Sequence, residues 1–281
     1  MQTIQWFPGH MAKARREISE KIKQVDLIIE LKDARIPYSS TNPMIDEIVG
    51  NKPRLILLCK SSMADPLVTK LWIESYKKKN IIALDIDSIT GFHVNQVIKY
   101  AELALKSVFA KRKEKGILSK TIKAMILGIP NVGKSTLINR LSKRGSASTA
   151  NTPGHTRSQQ WIRVDKTLEL LDTPGILPPH YDSQKEAINL ALIGSMKLET
   201  ISVSDLVNEL LIFIRKNHLD SVKERYSLEN MDTDHDILEG IARRRGLLLT
   251  QGQYDLEKAE ILLLKEFKEG LICKTIIDEL C

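Results

Sequence analysis

Cysteine is scarce in this sequence: Cys59, Cys273 and Cys281 are the three in 281 residues, and no two stand in a CxxC spacing. An odd, sparse set argues against a disulfide framework and fits a reducing compartment. Long apolar runs are also lacking. The longest, such as Leu55–Cys59 and Ala124–Ile129, are strand-sized and too short to cross a bilayer. The opening Met-Gln-Thr-Ile-Gln-Trp-Phe-Pro-Gly-His has neither the apolar centre of a signal peptide nor the Arg-rich pattern of a transit peptide, so a cytoplasmic location is expected. There is no internal repeat and no low-complexity stretch. His93, His155, His180, His218 and His235 are scattered, and no Ser-His-Asp or Cys-His arrangement stands out.

What is present is an ordinary globular composition, 42% apolar and 27% charged, with a formal net charge of +7. The length suits one large or two ordinary domains. Excess positive charge favours polyanions. Basic residues cluster at Lys13–Lys23, Lys106–Lys123 and Arg243-Arg244-Arg245, the last after an apolar stripe of Ile237, Leu238 and Ile241 that places it at a helix end. Together the three clusters point to RNA. Trp6 and Trp161 read as packing residues rather than base-stacking platforms.

Apolar periodicity predicts a helix over Met11–Val25 and strands at Leu27–Leu31, Arg54–Cys59 and Ile81–Ile86. It predicts a helix from Pro66 to Lys79 and a long one over Phe92–Lys113. A strand at Ile122–Gly128 precedes a helix at Lys134–Leu141. Gln160–Val164 and Leu168–Asp172 read as a strand pair turning near Asp165-Lys166, and Asp33–Pro37 as a polar loop. Alternation of this kind implies an α/β fold, a mostly parallel sheet with helices on both faces. After about Tyr181 the pattern becomes helical, at Gln184–Met196, Val203–Asn217 and Leu256–Phe267. The expected division is an α/β domain over 1–180 and an all-helical domain over 181–281.

Gly128-Ile-Pro-Asn131-Val132-Gly133-Lys134-Ser135 fits G-x-x-x-x-G-K-[ST] between a strand and a helix, the context a phosphate-binding loop requires. Its backbone N–H groups and helix N-terminus suit an anion. Lys134 is placed to reach the β- and γ-phosphates, and Ser135 to bind Mg²⁺. Leu168-Glu-Leu-Leu-Asp172-Thr-Pro-Gly175 is an apolar strand ending in a carboxylate for the metal's surroundings, with Gly175 allowing close approach to a γ-phosphate. Between the two lies Ala150-Asn-Thr152-Pro-Gly-His-Thr156-Arg157, where either Thr156 or Thr152 supplies a further Mg²⁺ ligand.

These motifs resemble those of the translation-factor-like GTPases. Nothing like the guanine-reading Asn-Lys-x-Asp follows Gly175; its counterpart lies upstream, at Cys59-Lys60-Ser61-Ser62. That order looks like a circularly permuted P-loop GTPase, and the chain resembles the ribosome biogenesis GTPase A family. The residues that carry the likeness include Ile4–Ala14 with its Trp-Phe-Pro-Gly-His10, Asp33-Ala-Arg-Ile-Pro37, Asn42-Pro-Met-Ile45, Ser135-Thr136-Leu-Ile-Asn-Arg140, Ser158-Gln-Gln-Trp161 and Leu170-Leu-Asp-Thr-Pro-Gly-Ile176. The resemblance implies a GTP- and GDP-binding GTPase that assists late maturation of the large ribosomal subunit, with rRNA contacted by the helical domain. It implies no membrane partner, and no obligate oligomer is evident.

Carried over motif by motif, the resemblance implies nucleotide contacts from Cys59, Lys60, Ser61, Ser62, Asn131, Val132, Gly133, Lys134, Ser135, Thr136, Thr156 and Gly175. It implies Mg²⁺ held near Ser135, Thr156 and Asp172. For catalysis it implies Lys134, His10 as the water-orienting group, and Asn131 as the residue that places a K⁺ ion. Ile176 stands where Ras-like proteins carry a water-orienting Gln, so turnover alone is expected to be slow, with stimulation by the ribosomal subunit.

Two departures concern the base. Ser62 replaces a carboxylate that accepts two guanine hydrogen bonds, and Cys59 replaces a bracing amide. Asp85 also stands where the family has Ser. Three readings stand: guanine preferred weakly through backbone contacts, the lost carboxylate replaced by Asp85 or Asp65, or several purine triphosphates accepted. The alternative to the enzyme is a nucleotide-gated RNA-binding scaffold with little hydrolysis or relaxed purine specificity; a P-loop kinase is the weaker third reading.

Overall fold

Strands form where both faces of an apolar run are covered. β1 (Leu27–Asp33) is buried along its whole length, β2 (Arg54–Cys59) in all but its first residue, and β4 (Ile122–Gly128) in all but Lys123. Continuous burial rather than alternation is the signature of a parallel sheet between helix layers. The computed structural model describes residues 8–117, 121–144, 160–173, 175, 184–196, 201–250 and 252–280, with backbone alone for residues 8–14, 143, 144 and 160.

With β3 (Ile82–Asp85), β5 (Gln160–Arg163) and β6 (Leu168–Asp172) the sheet has the order β3-β2-β1-β4-β6-β5. Every pairing is parallel except β5 with β6. The turn between those two is held by Asp165, whose carboxylate accepts from the backbone N–H of Thr167 (2.7 Å) and Leu168 (2.8 Å). Parallel strands end on one edge. That edge collects Asp85, Cys59, Asp33, Gly128 and Asp172, the last residues of β3, β2, β1, β4 and β6.

The helices start where side chains cap them. Asn42 accepts from Met44 N–H ahead of α2 (Pro43–Val49), and Asp65 from Leu67 and Val68 N–H ahead of α3 (Pro66–Lys78). α1 (Pro8–Lys21) and α6 (Lys134–Arg144) match their expected positions within a few residues. The long helix expected over Phe92–Lys113 is broken. His93 adopts a left-handed conformation (φ 54°), a 3₁₀ turn follows, and α4 (Val97–Ala104) is separated from α5 (Lys106–Glu114) at Leu105. Leu105, with ψ 8°, sits at the break and is fully buried in the core.

Beyond the sheet come α7 (Gln184–Leu192), α8 (Val203–Asn217), α9 (Leu219–Tyr226), α10 (Asp234–Arg245) and α11 (Leu256–Lys268). Leu206, Leu210, Leu211 and Ile214 form the buried face of α8. α10 opens on a reciprocal Thr233–Asp236 capping box and closes on the left-handed Gly246. One apolar cluster runs from Leu27 and Leu57 through Leu190 and Leu210 to Phe267 and Ile277. The expected domain boundary at 180/181 lies outside the described residues.

The polar loop expected at Asp33–Pro37 is buried along its whole length. Residues 269–280 run back over it. Ile277 N–H donates to Arg35 O (2.7 Å), Arg35 Nη1 to Lys268 O (2.8 Å) and Thr275 N–H to Met63 O (3.1 Å). Asp278 accepts from Tyr38 N–H (2.7 Å), Ser39 N–H (2.8 Å), the Ser39 hydroxyl (2.5 Å) and the Asn189 amide (3.0 Å).

Candidate functional site

Between β4 and α6 the backbone takes two positive φ angles, 58° at Asn131 and 108° at Gly133. The second suits glycine because an L side chain there is strained. Val132 is buried between them and anchors the loop, while Ser135 and Thr136 are exposed in the first turn of α6. Lys134 folds back, its Nζ donating to the carbonyls of Gly128 (3.1 Å) and Ile129 (3.3 Å). Burial lowers its ammonium to about 8, against the opposing pull of Asp172. The loop thus holds a positive charge that is poorly solvated, the condition in which an added phosphate is bound strongly.

Asp172 is buried at the end of β6, the strand next to β4, and the Thr173 hydroxyl donates to Ile126 O (2.6 Å). Gly175 lies against the loop so closely that a Cβ would stand 3.0 Å from Pro130 N and 3.2 Å from Lys134 Nζ. Asn131 Nδ2 donates to Gly194 O (3.0 Å), in the turn after α7. The structure therefore brings together Asn131, Val132, Gly133, Lys134, Ser135, Thr136, Asp172 and Gly175. Thr156, Thr152 and Ile176 lie outside the described residues. His10 lies in the first turn of α1, with its side chain outside them. Among the described residues no group of three or more His, Cys, Asp or Glu could hold a metal by itself. A serine hydroxyl and one carboxylate are hard oxygen donors suited to Mg²⁺ that takes its other ligands from phosphates and water.

Two strands from β4 the loop Lys60–Met63 leaves β2. Lys60 is left-handed (φ 58°) and its Nζ pairs with Asp33 Oδ2 (3.0 Å). Asp33 also accepts a two-pronged pair of bonds from Arg35, each 2.9 Å. Against the upward push of burial, Arg35 and Lys60 hold the Asp33 carboxyl well below the usual range. Cys59 is buried, and burial and Asp33 push its thiol up, so it stays neutral. Cys59 and Gly128 end the strands on either side of β1, so the two motifs open on one sheet edge. Arg140 of α6 adds a tie, donating to the carbonyls of Ser88 (2.9 Å), Ile89 (2.5 Å) and Thr90 (3.1 Å).

The carboxylate against Ser62 is neither Asp85 nor Asp65. Asp85 Oδ1 meets His93 Nδ1 at 3.2 Å, and Asp65 is occupied in capping α3. It is Asp87, whose Oδ2 accepts the Ser62 hydroxyl proton while its Oδ1 accepts from Ile89 N–H (2.8 Å) and Thr90 N–H (2.9 Å). Sequence reasoning missed this residue. The available signal was the Asp87-Ser88-Ile-Thr-Gly91 turn just past a strand end, a setting in which an Asp caps its own turn.

Arg243 and Arg244 are exposed at the end of α10. Arg245 instead reaches Glu266 (3.2 Å) and lies 5.4 Å from the Tyr226 ring centroid, so that cluster offers two free-standing cations rather than three. Trp161 is 40% exposed with Lys123 Nζ 5.6 Å from its ring centroid, which corrects its expected role in packing.

Residues 123–239 match the family model described as a 50S ribosome-binding GTPase. The chain is 45% identical to ribosome biogenesis GTPase A of Bacillus pumilus over 267 residues, covering 95% of each protein. It is 45% identical to the protein of the same name from Bacillus cereus over 272 residues, 96% of this chain and 92% of that one. Among solved structures it is similar to GNP-bound YlqF from T. maritima, with a TM-score of 0.66 and 26% identity over 95% of this chain and 98% of that one.

Proposed function

The chain belongs to the ribosome biogenesis GTPase A family, GTPases of ribosome assembly, and from that premise we propose that it hydrolyses GTP on the maturing large ribosomal subunit, in the cytoplasm, through contacts with rRNA. The observation that carries the reading is the single sheet edge on which Lys134, Asp172 and Gly175 meet at one strand pair and the Cys59–Ser62 loop stands two strands away.

Lys134 and the loop amides of Asn131–Ser135 hold the polyphosphate. Ser135 and Asp172, with Thr156 completing the set, would hold Mg²⁺, which would supply charge neutralisation at the phosphates. The amide oxygen of Asn131 has the right chemistry to place K⁺ beside the same phosphates. His10 orients the attacking water, which Ile176 cannot do. The helices α8–α11 meet rRNA, with Arg243 and Arg244 against phosphates.

The test is GTP turnover by the full chain, with and without large ribosomal subunits, in K⁺ and in Na⁺. Slow turnover alone, a rise on adding subunits, and a faster rate in K⁺ are expected. A rate that subunits leave unchanged would favour the nucleotide-gated scaffold, and equal rates in the two salts would remove the K⁺ role.

A further inference from the structure

A guanine-reading carboxylate normally projects at the base and accepts from both N1–H and the exocyclic amine. In this chain the equivalent position is Ser62, which is exposed, and the nearest carboxylate is set one layer behind it. Asp87 is only 3% exposed. Both of its oxygens are engaged, one by two turn amides and one by the Ser62 hydroxyl. Burial pushes its carboxyl up, but the bonds from Ser62, Thr90 and Ile89 outweigh this and hold it ionised.

The consequence lies in where the Ser62 proton points. A hydroxyl has one proton and two lone pairs. With its proton committed to Asp87, Ser62 turns only lone pairs outward. We propose that Ser62, oriented by Asp87, is the base-edge acceptor of this GTPase and reads a single purine N1–H. Ser62 touches the base; Asp87 is a positioning residue. The inference rests on the GTPase reading above and deepens it by naming the base class: 6-oxopurines, with or without a 2-amino group.

The position is consistent with the phosphate loop. The Lys60–Met63 loop leaves the sheet two strands from β4, roughly 10 Å at the usual strand spacing, and a nucleotide with its phosphates at Lys134 extends about that far. Arg140 fixes the Ser88–Thr90 turn, and with it Asp87, to the helix that begins at Lys134.

Two selectivities follow. Guanine and hypoxanthine both carry N1–H, so one acceptor treats them nearly alike. Adenine presents an unprotonated N1, so two acceptors face each other with no proton between them, and an unpaired acceptor is costly.

The experiment is competition binding on the full chain with GDP, IDP, ADP and tripolyphosphate. IDP should bind within about threefold of GDP, and ADP about 10- to 100-fold more weakly than GDP. In Asp87→Asn the new amide donates to Ser62 and frees its proton to turn outward, so the GDP-to-ADP ratio should fall to within about threefold. Ser62→Ala should show the same collapse, with tripolyphosphate affinity retained in both. The double variant Ser62→Asp/Asp87→Asn returns a carboxylate to the base edge without a second beside it, and should favour GDP over IDP by about tenfold or more. A wild-type preference for GDP over IDP above about tenfold would overturn the proposal. So would equal binding of ADP and GDP, or ratios that Asp87→Asn leaves unchanged. Loss of tripolyphosphate binding along with all three nucleotides would bring down the phosphate-loop reading itself, and this inference with it.

Discussion

Lys134 is the side chain on which the proposed phosphate site turns most directly. Its ammonium is lowered to about 8 by burial and rests on two carbonyls of its own loop, at 3.1 and 3.3 Å. A charge-assisted bond contributes about 1.5–3 kcal/mol, so Lys134→Ala is expected to weaken GTP binding by about 100-fold. Titration of the folded variant with Mg·GTP checks this. The pH dependence has a definite sign. Phosphate beside the ammonium favours the charged form, so binding takes up protons wherever Lys134 is partly neutral. Affinity should be flat up to about pH 7 and fall as pH rises through 8, by at most about tenfold per unit. An affinity that held constant from pH 7 to 9 would show that Lys134 stays fully charged before the nucleotide arrives.

At the scale of elements, the segment after α11 has no helix or strand of its own and is held by bonds to residues far away in sequence. Asp278 accepts four of them, from Tyr38, Ser39 and Asn189. Asp278→Ala strands those donors in a buried place, at a cost of about 3 kcal/mol. For a chain of this size that lowers Tm by about 6–12 °C, measurable by thermal unfolding. A drop under about 2 °C would mean the segment is held by its apolar contacts instead.

This segment also marks where the sequence ceased to be informative. Strands and helices with strong periodicity were legible: β1, β2, β4, β6, α3, α8 and α11 fall within a few residues of expectation. The phosphate loop was legible because its residues are contiguous. Asp87 was not, because its role depends on a hydroxyl 25 positions away across a parallel strand pair. The burial of Asp33–Pro37 was equally hidden, since a loop covered by a distant segment looks like any other polar loop in one dimension. Leu105 illustrates the same limit on a small scale: the helix breaks at it although the apolar spacing runs on without interruption.

For the whole molecule a net charge of +7 favours polyanions at long range, and on the proposed reading the exposed cations are where rRNA docks. Arg243 and Arg244 are exposed, whereas Arg245 is spent on Glu266 and Tyr226. Replacing Arg243 and Arg244 by alanine is expected to weaken binding to large ribosomal subunits. It should also reduce the slope of log affinity against log salt by one to two units, about 0.7–0.9 for each lost phosphate contact. Arg245→Ala should act through stability instead. Binding measured between about 50 and 200 mM salt separates the two; an unchanged slope in the double variant would place the RNA surface elsewhere.

The bonds from Arg35 to Lys268 and from Tyr38 to Asp278 join positions 233 and 240 residues apart. During synthesis the first partner of each pair waits until Lys268 and Asp278 have been translated. The strand edge that surrounds Asp33, and the loop through Met63, can therefore be locked only after residues 268–278 have been made. A nascent chain stalled before Lys268 would present the loop of residues 33–39 and Met63 without the clasp, a sheet edge that is formed but not yet fastened.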